Sequence, residues 1–173
     1  MVDDVPALRV GQGFDIHRFS GDPGRPLVLG GVTIPGVTGL AGHSDADVVA
    51  HALADALLGA TGLGDLGRHF PDDDPAWAGA DSLVLLATVT SLVHDQGMTV
   101  VNADCTVVCE RPRLAEHTDE MARRLGTAVA APVSVKATRA EGLGTLGRVE
   151  GIACLAVVLV AGSRPAARPS GDP

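Results

Sequence analysis

Apolar and polar positions alternate along the chain in runs whose period switches between two and three to four. Residues 8–19 and 27–34 are apolar segments joined by the polar residues 21–26, which predicts two β segments in a hairpin-like opening. Ser44-Asp45-Ala46-Asp47 then reads as a helix start, with Ser44 as N-cap and Asp47 three residues on. That helix is expected to run to about Leu58 and to stop within residues 59–64. Residues 63–75, LGDLGRHFPDDDP, combine breakers and acids and read as a loop. Leu83, Leu86, Val89, Leu92 and Val93 have helical spacing over residues 81–96, closed by Gly97. Residues 98–110 form a long β segment ended by Pro112. An amphipathic helix is predicted over 114–125, closed by Gly126, and a strand over 133–138. After a Gly-rich loop, IACLAVVLV at 152–160 reads as a strand buried on both faces.

The order β-β-α-α-β-α-β-β predicts an α/β fold, an α+β sandwich whose mixed sheet carries helices on one face. The continuous apolar last strand implies that the other face is buried against further subunits. One domain spans residues 8–160, with residues 1–7 as an N-terminal extension and 161–173 as a disordered tail. Hydrophobic residues make up 46% of the 173 and aromatics only 2%, so the core must be aliphatic. The net charge of −8 argues against a nucleic-acid surface, which needs clustered Lys and Arg. An acidic chain can still hold an anionic small molecule where local cations or metals reverse the field. No apolar run reaches the roughly 20 residues of a membrane span, and the first residues lack the pattern of a signal peptide. Cys105, Cys109 and Cys154 sit in apolar segments, which suits free thiols in a reducing, cytoplasmic setting.

Chemistry enters with GFDIHRF at 13–19. Residues two apart on a strand share a face, so Asp15 and His17 project together while Phe14 and Ile16 point the other way. Ser44, Asp47, His51 and Asp55 follow at spacings of three, four and four, which lines them on one helical stripe opposite Val48, Val49, Leu53, Ala56 and Leu57. Singly, a strand-end Asp–His pair and a solvent-facing helical His are ordinary features. Together, Asp15, His17 and His51 make an Asp/His/His set drawn from a strand and a helix that can meet. Two imidazoles and one carboxylate on zinc leave a fourth position open for a phosphate oxygen or water. GLGTLG at 142–147 matches the dinucleotide fingerprint by letter only, since a Val-rich strand follows it in place of a helix. Cys105 and Cys109 lie four apart on an extended segment, roughly 13 Å, too far for a disulfide or a shared metal.

Six segments in order, GFDIHRF, GHSDADVVAHALADALLGA, GDLGRHFPDDDP, NADCTVVCERPRL, SVKATRAEGLGTLGR and EGIAC, resemble the 2-C-methyl-D-erythritol 2,4-cyclodiphosphate synthase family of the non-mevalonate isoprenoid pathway. The resemblance covers about residues 9–160. It implies a homotrimer with each active site between two subunits, and a cytidine diphosphate ester of methylerythritol 2-phosphate as substrate. It implies that Asp15, His17 and His51 hold zinc, and that Glu141 holds a second dication, magnesium or manganese. It assigns His43, Thr138 and Arg139 to catalysis and His43 and Ser44 to holding substrate. Asp65, Leu66 and Gly67 correspond to a segment that accepts substrate hydroxyls. Phe70, Pro71, Asp72, Asp73 and Asp74 correspond to a flexible stretch that closes over the sugar alcohol. Cys109, Glu110, Arg111, Pro112, Arg113, Leu114 and Ala115 correspond to the cytosine pocket, with Arg113 for a usual Lys. Thr138, Arg139, Ala140, Glu141 and Arg148 complete the set.

Besides Arg113, three positions depart from the family pattern. Arg139 stands where a hydroxyl residue is usual, Thr145 where a bulky apolar residue is usual, and Val149 where Gly is usual. An electrostatic role on phosphate is expected for Arg139, since Arg can donate in bidentate fashion. The other two fall near the trimer axis, where the family's cavity can take an isoprenoid phosphate. Two rival readings keep the same residues: a zinc-assisted hydrolase of a nucleotide diphosphate ester, and a non-catalytic trimer that binds nucleotide or isoprenoid phosphate. The survival of both sets of metal ligands weighs against the binder.

Overall fold

The computed structural model describes residues 7–162. Its elements in chain order are β1 (Ala7–Arg18), β2 (Pro26–Leu29), β3 (Val32–Thr38), α1 (Val48–Thr61), α2 (Leu66–His69), α3 (Ser82–Asp95), β4 (Met98–Val108), α4 (Thr118–Val129), β5 (Val133–Thr138), α5 (Gly144–Gly147) and β6 (Gly151–Gly162), with a 3-10 turn at Pro75–Trp77. Four strands form one mixed sheet in the order β1-β6-β4-β5, and β2 and β3 form a separate hairpin. The β1–β6 and β6–β4 pairs are antiparallel and β4–β5 is parallel. Helices α1, α3 and α4 cover one face, as expected for the α/β sandwich. The expected extension and tail lie mostly outside the described residues, but Ala7, Ala161 and Gly162 belong to strands.

Helix α1 is buried nearly all round, from Val48 to Ala60. That is the mark of a helix held between layers, with sheet on one side and α3 on the other. Its approach to the sheet is set by Gly11 and Gly13, on the inward side of β1. A Cβ on Gly13 would stand 1.9 Å from the Ala52 carbonyl oxygen, and one on Gly11 1.8 Å from that of Ala56. Only glycine lets the helix backbone rest on the strand at that distance. Asp15 and His17 continue the same inward side of β1, while Phe14 and Ile16 are exposed on the other, as the alternation predicts.

Several boundaries differ from the sequence expectation. Residues 27–34 are not one strand but a hairpin turning at Gly30-Gly31, both at positive φ. Asp47, not Ser44, caps α1. Its Oδ1 accepts from Val49 N at 3.0 Å and Ala50 N at 3.2 Å, and from Gly30 N at 2.8 Å, while Oδ2 accepts from Gly31 N at 2.7 Å. One fully buried carboxylate thus ties the helix start to the hairpin turn. Burial raises its pKa, against the backbone N–H groups of Gly31 and Gly30 that lower it. The stripe of ligands is therefore broken, since Ser44 precedes the helix and Asp47 is consumed as a cap. The helix also runs to Thr61, past Leu58, and ends on Gly62 at φ 74°.

The stretch 63–75 is not wholly loop, because Asp65 and Asp74 cap the short α2 and the 3-10 turn. Helix α4 starts at Thr118 and ends on Ala130, with Gly126 inside it. That glycine makes room for the returning chain: a Cβ there would stand 3.1 Å from the Ala131 oxygen. The loop after β5 contains the four-residue α5, too short for a dinucleotide turn, and β6 follows as expected. Strand β6 is not buried on both faces within one chain. Leu155 and Val157 are 39% and 45% exposed, and they share the open sheet face with Leu8, Val10, Phe14 and Ile16 of the paired β1. Among the described residues no helix is long and apolar enough to cross a membrane. All three cysteines are free and buried.

Candidate metal centre and nucleotide cleft

Asp15, His17 and His51 meet. One ligand atom from each lies within 4.8 Å of the others, and this is the only such His/Cys/Asp/Glu group among the described residues. Strand β1 brings Asp15 and His17, and the close seat of α1 on Gly11 and Gly13 brings His51, one residue before the contacting Ala52. Asp15 Oδ2 is 3.2 Å from His17 Nε2 and 3.0 Å from His51 Nδ1, while Asp15 Oδ1 accepts from Ile16 N at 2.8 Å. Both imidazoles therefore aim a ring nitrogen at one carboxylate oxygen. Lone pairs so arranged repel unless a cation lies among them, either a proton or a metal ion. Burial opposes ionisation of Asp15, but hydrogen bonds from His17 and His51 outweigh it and hold the carboxyl well below its usual range. The hydrogen bond to Asp15 raises the His17 pKa despite partial burial. On the far side of the ring, His17 Nδ1 donates to the Ala41 carbonyl at 2.6 Å, which leaves Nε2 as the inward ligand atom. The donor set suits a borderline dication.

The predicted substrate residues fall into three groups. His43 and Ser44 flank the triad: Ser44 Oγ lies 3.2 Å from His51 Nε2, and His43 Nε2 donates to the Asp74 carbonyl at 3.1 Å. That bond holds the 70–80 stretch over His43, along with the edge-on pair of Phe70 and Trp77, centroids 4.9 Å apart. Asp72, Asp73 and Asp74 are exposed, and Asp74 Oδ1 caps the 3-10 turn through Ala76 N at 2.9 Å. Asp65 accepts from Arg68 N at 3.0 Å as the cap of α2, which contains Leu66 and Gly67.

The third group lines an open cleft of about 1070 Å³ at the C-terminal ends of β4 and β5. Its wall contains all of Cys109 to Ala115, together with Thr138 and Arg139. The peptide bond between Arg111 and Pro112 is cis. The Cys109 thiol donates to the Arg111 carbonyl at 2.9 Å, and burial pushes its pKa up to about 11, so it stays protonated. Asp15, His17 and His51 are not part of this wall. Asp15 and His17 stand on the edge strand β1, with His51 on α1 above it, and the cleft lies at the opposite edge β5, three strand spacings or roughly 14 Å across the same end of the sheet.

Arg139 does not stand free. Its guanidinium pairs with Glu110 Oε1, with Nε at 3.0 Å, and that bond holds the Glu110 carboxyl below its usual range. Glu141 adopts φ 52° beside it and lies apart from the triad. Arg148 Nε donates to Glu150 at 2.6 Å. Sequence reasoning missed Ser82, which meets His51 from behind, Asp45, which holds Ser82, and Arg25, whose guanidinium donates to the Ser44 carbonyl. Their signal in the sequence was weak, because Asp45 reads as part of a helix start and Ser82 as an ordinary first-turn residue.

An α/β sandwich with an Asp/His/His ligand set at one sheet edge and a nucleotide-sized cleft at the other defines a class of potential metal-binding proteins. The chain belongs to the YgbB family, whose model matches residues 8–161. It is 56% identical over 158 residues to the 2-C-methyl-D-erythritol 2,4-cyclodiphosphate synthase of Symbiobacterium thermophilum, covering 90% of this chain and 99% of that one. It is 54% identical to the synthase of the same name from Geobacillus thermodenitrificans, over 88% of this chain and 96% of the other. Among solved structures it resembles the bifunctional IspDF of Campylobacter jejuni, with a TM-score of 0.86 and 38% identity, over 91% of this chain but only 43% of that longer one. It also resembles a CDP complex of IspF from Plasmodium falciparum, with a TM-score of 0.78 and 29% identity, over 91% and 98% of the two chains. The family resemblance read from the ordered motifs is thereby borne out.

Proposed function

We propose that this chain is a phosphorus–oxygen lyase that cyclises 4-diphosphocytidyl-2-C-methyl-D-erythritol 2-phosphate to 2-C-methyl-D-erythritol 2,4-cyclodiphosphate and releases CMP. The carrying observation is the convergence of His17 and His51 on Asp15 Oδ2, an arrangement that calls for a cation. In the reaction an oxygen of the 2-phosphate bonds to the β-phosphorus. The bond from that phosphorus to the bridging oxygen breaks, and the electron pair leaves with CMP. Attacking and attacked groups are both anionic, so the protein must align them and offset their charge.

Asp15, His17 and His51 would hold zinc and Glu141 a magnesium or manganese ion, and these ions would supply positive charge to the phosphates. Ser44 donates to the phosphate beside the triad, and His43 does so once its Nε2–H leaves the Asp74 carbonyl. Asp65 and the backbone of Leu66 and Gly67 take the hydroxyls, and the 70–74 stretch excludes water. The backbone of 109–115 reads the cytosine edge, with Arg113 near the phosphates. Thr138 donates to the diphosphate, and Arg139 adds charge at the cleft mouth once it parts from Glu110.

One chain carries the triad and the cleft on opposite sheet edges, which suits sites completed between neighbours. The exposed apolar positions Leu8, Val10, Phe14, Ile16, Leu155 and Val157 support a homotrimer closed over that sheet face. Free thiols and the absence of a spanning helix among the described residues fit a cytoplasmic enzyme. Phosphorus NMR on the cytidine substrate tests the reading. A cyclic diphosphate with CMP supports it, linear products make the chain a hydrolase, and no turnover makes it a binder.

A further inference from the structure

His51 is the ligand delivered by the helix, and its second ring nitrogen points away from Asp15 into the protein. There Nε2 meets Ser82 Oγ at 2.9 Å and Ser44 Oγ at 3.2 Å. Ser82 is 1% exposed and opens helix α3. Its hydroxyl donates to Asp45 Oδ1, while its backbone N–H donates to Asp45 Oδ2 at 3.1 Å. Asp45 is itself held, since Oδ1 accepts from Asp47 N at 3.2 Å and its own N–H donates to the Ala80 carbonyl at 3.1 Å.

A serine hydroxyl has one proton. Here it is committed to Asp45, so Oγ offers Nε2 only lone pairs, and Nε2 must carry the hydrogen. Ser44 Oγ is farther off and already accepts from Ala46 N at 3.2 Å. The neutral imidazole is then the tautomer with Nε2–H, and its free lone pair lies on Nδ1, toward Asp15.

We propose that Asp45 and Ser82 form a positioning relay that fixes the tautomer and ring orientation of His51, so that Nδ1 is presented as a metal ligand. The relay reaches across from α3 to α1, so the α3 N-terminus takes part in building the metal centre without touching the ion. Outer partners of this kind typically change metal affinity by 10- to 100-fold. The inference rests on the Asp15/His17/His51 chelate, and its test separates the two.

Zn²⁺ is titrated against a chromophoric chelator into the wild type, Ser82→Ala and Asp45→Asn, alongside the melting temperature of each metal-free protein. Ring-nitrogen NMR of the histidine-labelled, zinc-loaded wild type reports which nitrogen of His51 is protonated. The expected results are zinc affinity lower by roughly 10-fold or more in Ser82→Ala, a smaller loss in Asp45→Asn, and a protonated Nε2 in the wild type. Equal zinc affinity in wild type and Ser82→Ala, or ligation of His51 through Nε2, overturns the relay alone. A wild type that takes up no zinc overturns the chelate and the relay together. Should Ser82→Ala not fold, the NMR assignment on the wild type and the Asp45→Asn affinity decide the question.

Discussion

Replacing Gly13 by alanine should damage stability and metal binding together, through geometry alone. The new methyl carbon would stand 1.9 Å from the Ala52 carbonyl oxygen and 2.7 Å from the Ala56 nitrogen, both helix backbone atoms that cannot swing aside. Reaching even the 3.0 Å that real contacts respect requires α1 and β1 to separate by at least about 1.1 Å. Overpacking of this kind costs about 1–3 kcal/mol, and more where backbone meets backbone. The same displacement carries His51 away from Asp15, since Asp15 lies two residues along the strand and His51 next to Ala52. Loss of the positioning of a metal ligand typically lowers metal affinity by about 10- to 100-fold. Urea unfolding gives the first quantity and chelator competition for Zn²⁺ the second. Gly21→Ala, at a site with no atom within 4 Å, is the control and should leave both unchanged. If Gly13→Ala matched wild type in midpoint and zinc affinity, the close seat of helix on strand would not be what assembles the ligand set.

Three further outcomes are expected. Asp47→Ala should cost about 3–5 kcal/mol in denaturant unfolding, from a lost cap of about 1 and two turn N–H groups at about 1–2 each. A loss below 1 would mean that water reaches Gly30 and Gly31. Arg139→Thr should lower turnover in the phosphorus NMR assay, and equal or faster turnover would refute a role on phosphate. Because the Glu110 pKa is depressed by Arg139, their pairing is complete above the usual carboxylate value of 4.5 and is lost as pH falls through the depressed one. In the metal-free protein, the raised His17 pKa gives a contribution that is complete below 6.5 and lost as pH rises through the raised value. The lowered Asp15 pKa gives one present above 3.8 and lost as pH falls. Melting temperature against pH for wild type and His17→Ala should therefore differ most between those limits, and parallel curves would sink the pairing.

The sheet and the ligand set were legible because period-two alternation puts Asp15 and His17 on one side of a strand whatever packs against it. The last strand was legible from its continuous apolar run, and helix α3 from the helical spacing of Leu83, Leu86, Val89, Leu92 and Val93. What escaped was set by contacts between distant segments. Asp47 looks like a stripe residue until the Gly30-Gly31 turn arrives to share its carboxylate, although Gly30-Gly31 between two apolar runs is itself a hairpin signal. Gly126 looks like a helix stop, yet it serves the chain returning at Ala131. Ser82 carries no sequence mark of its nearness to His51, 31 residues earlier. The sequence implies an electrostatic role for Arg139 but not its pairing with Glu110, which depends on two strand ends meeting.

The division of parts between the two edge strands reaches into heredity. If sites are shared between neighbours as proposed, a chain damaged only at its histidine cluster would still lend an intact cleft wall. A chain damaged only in that wall would still lend an intact histidine cluster. Two inactive alleles expressed together would rescue one another in part, whereas two lesions on one edge would not.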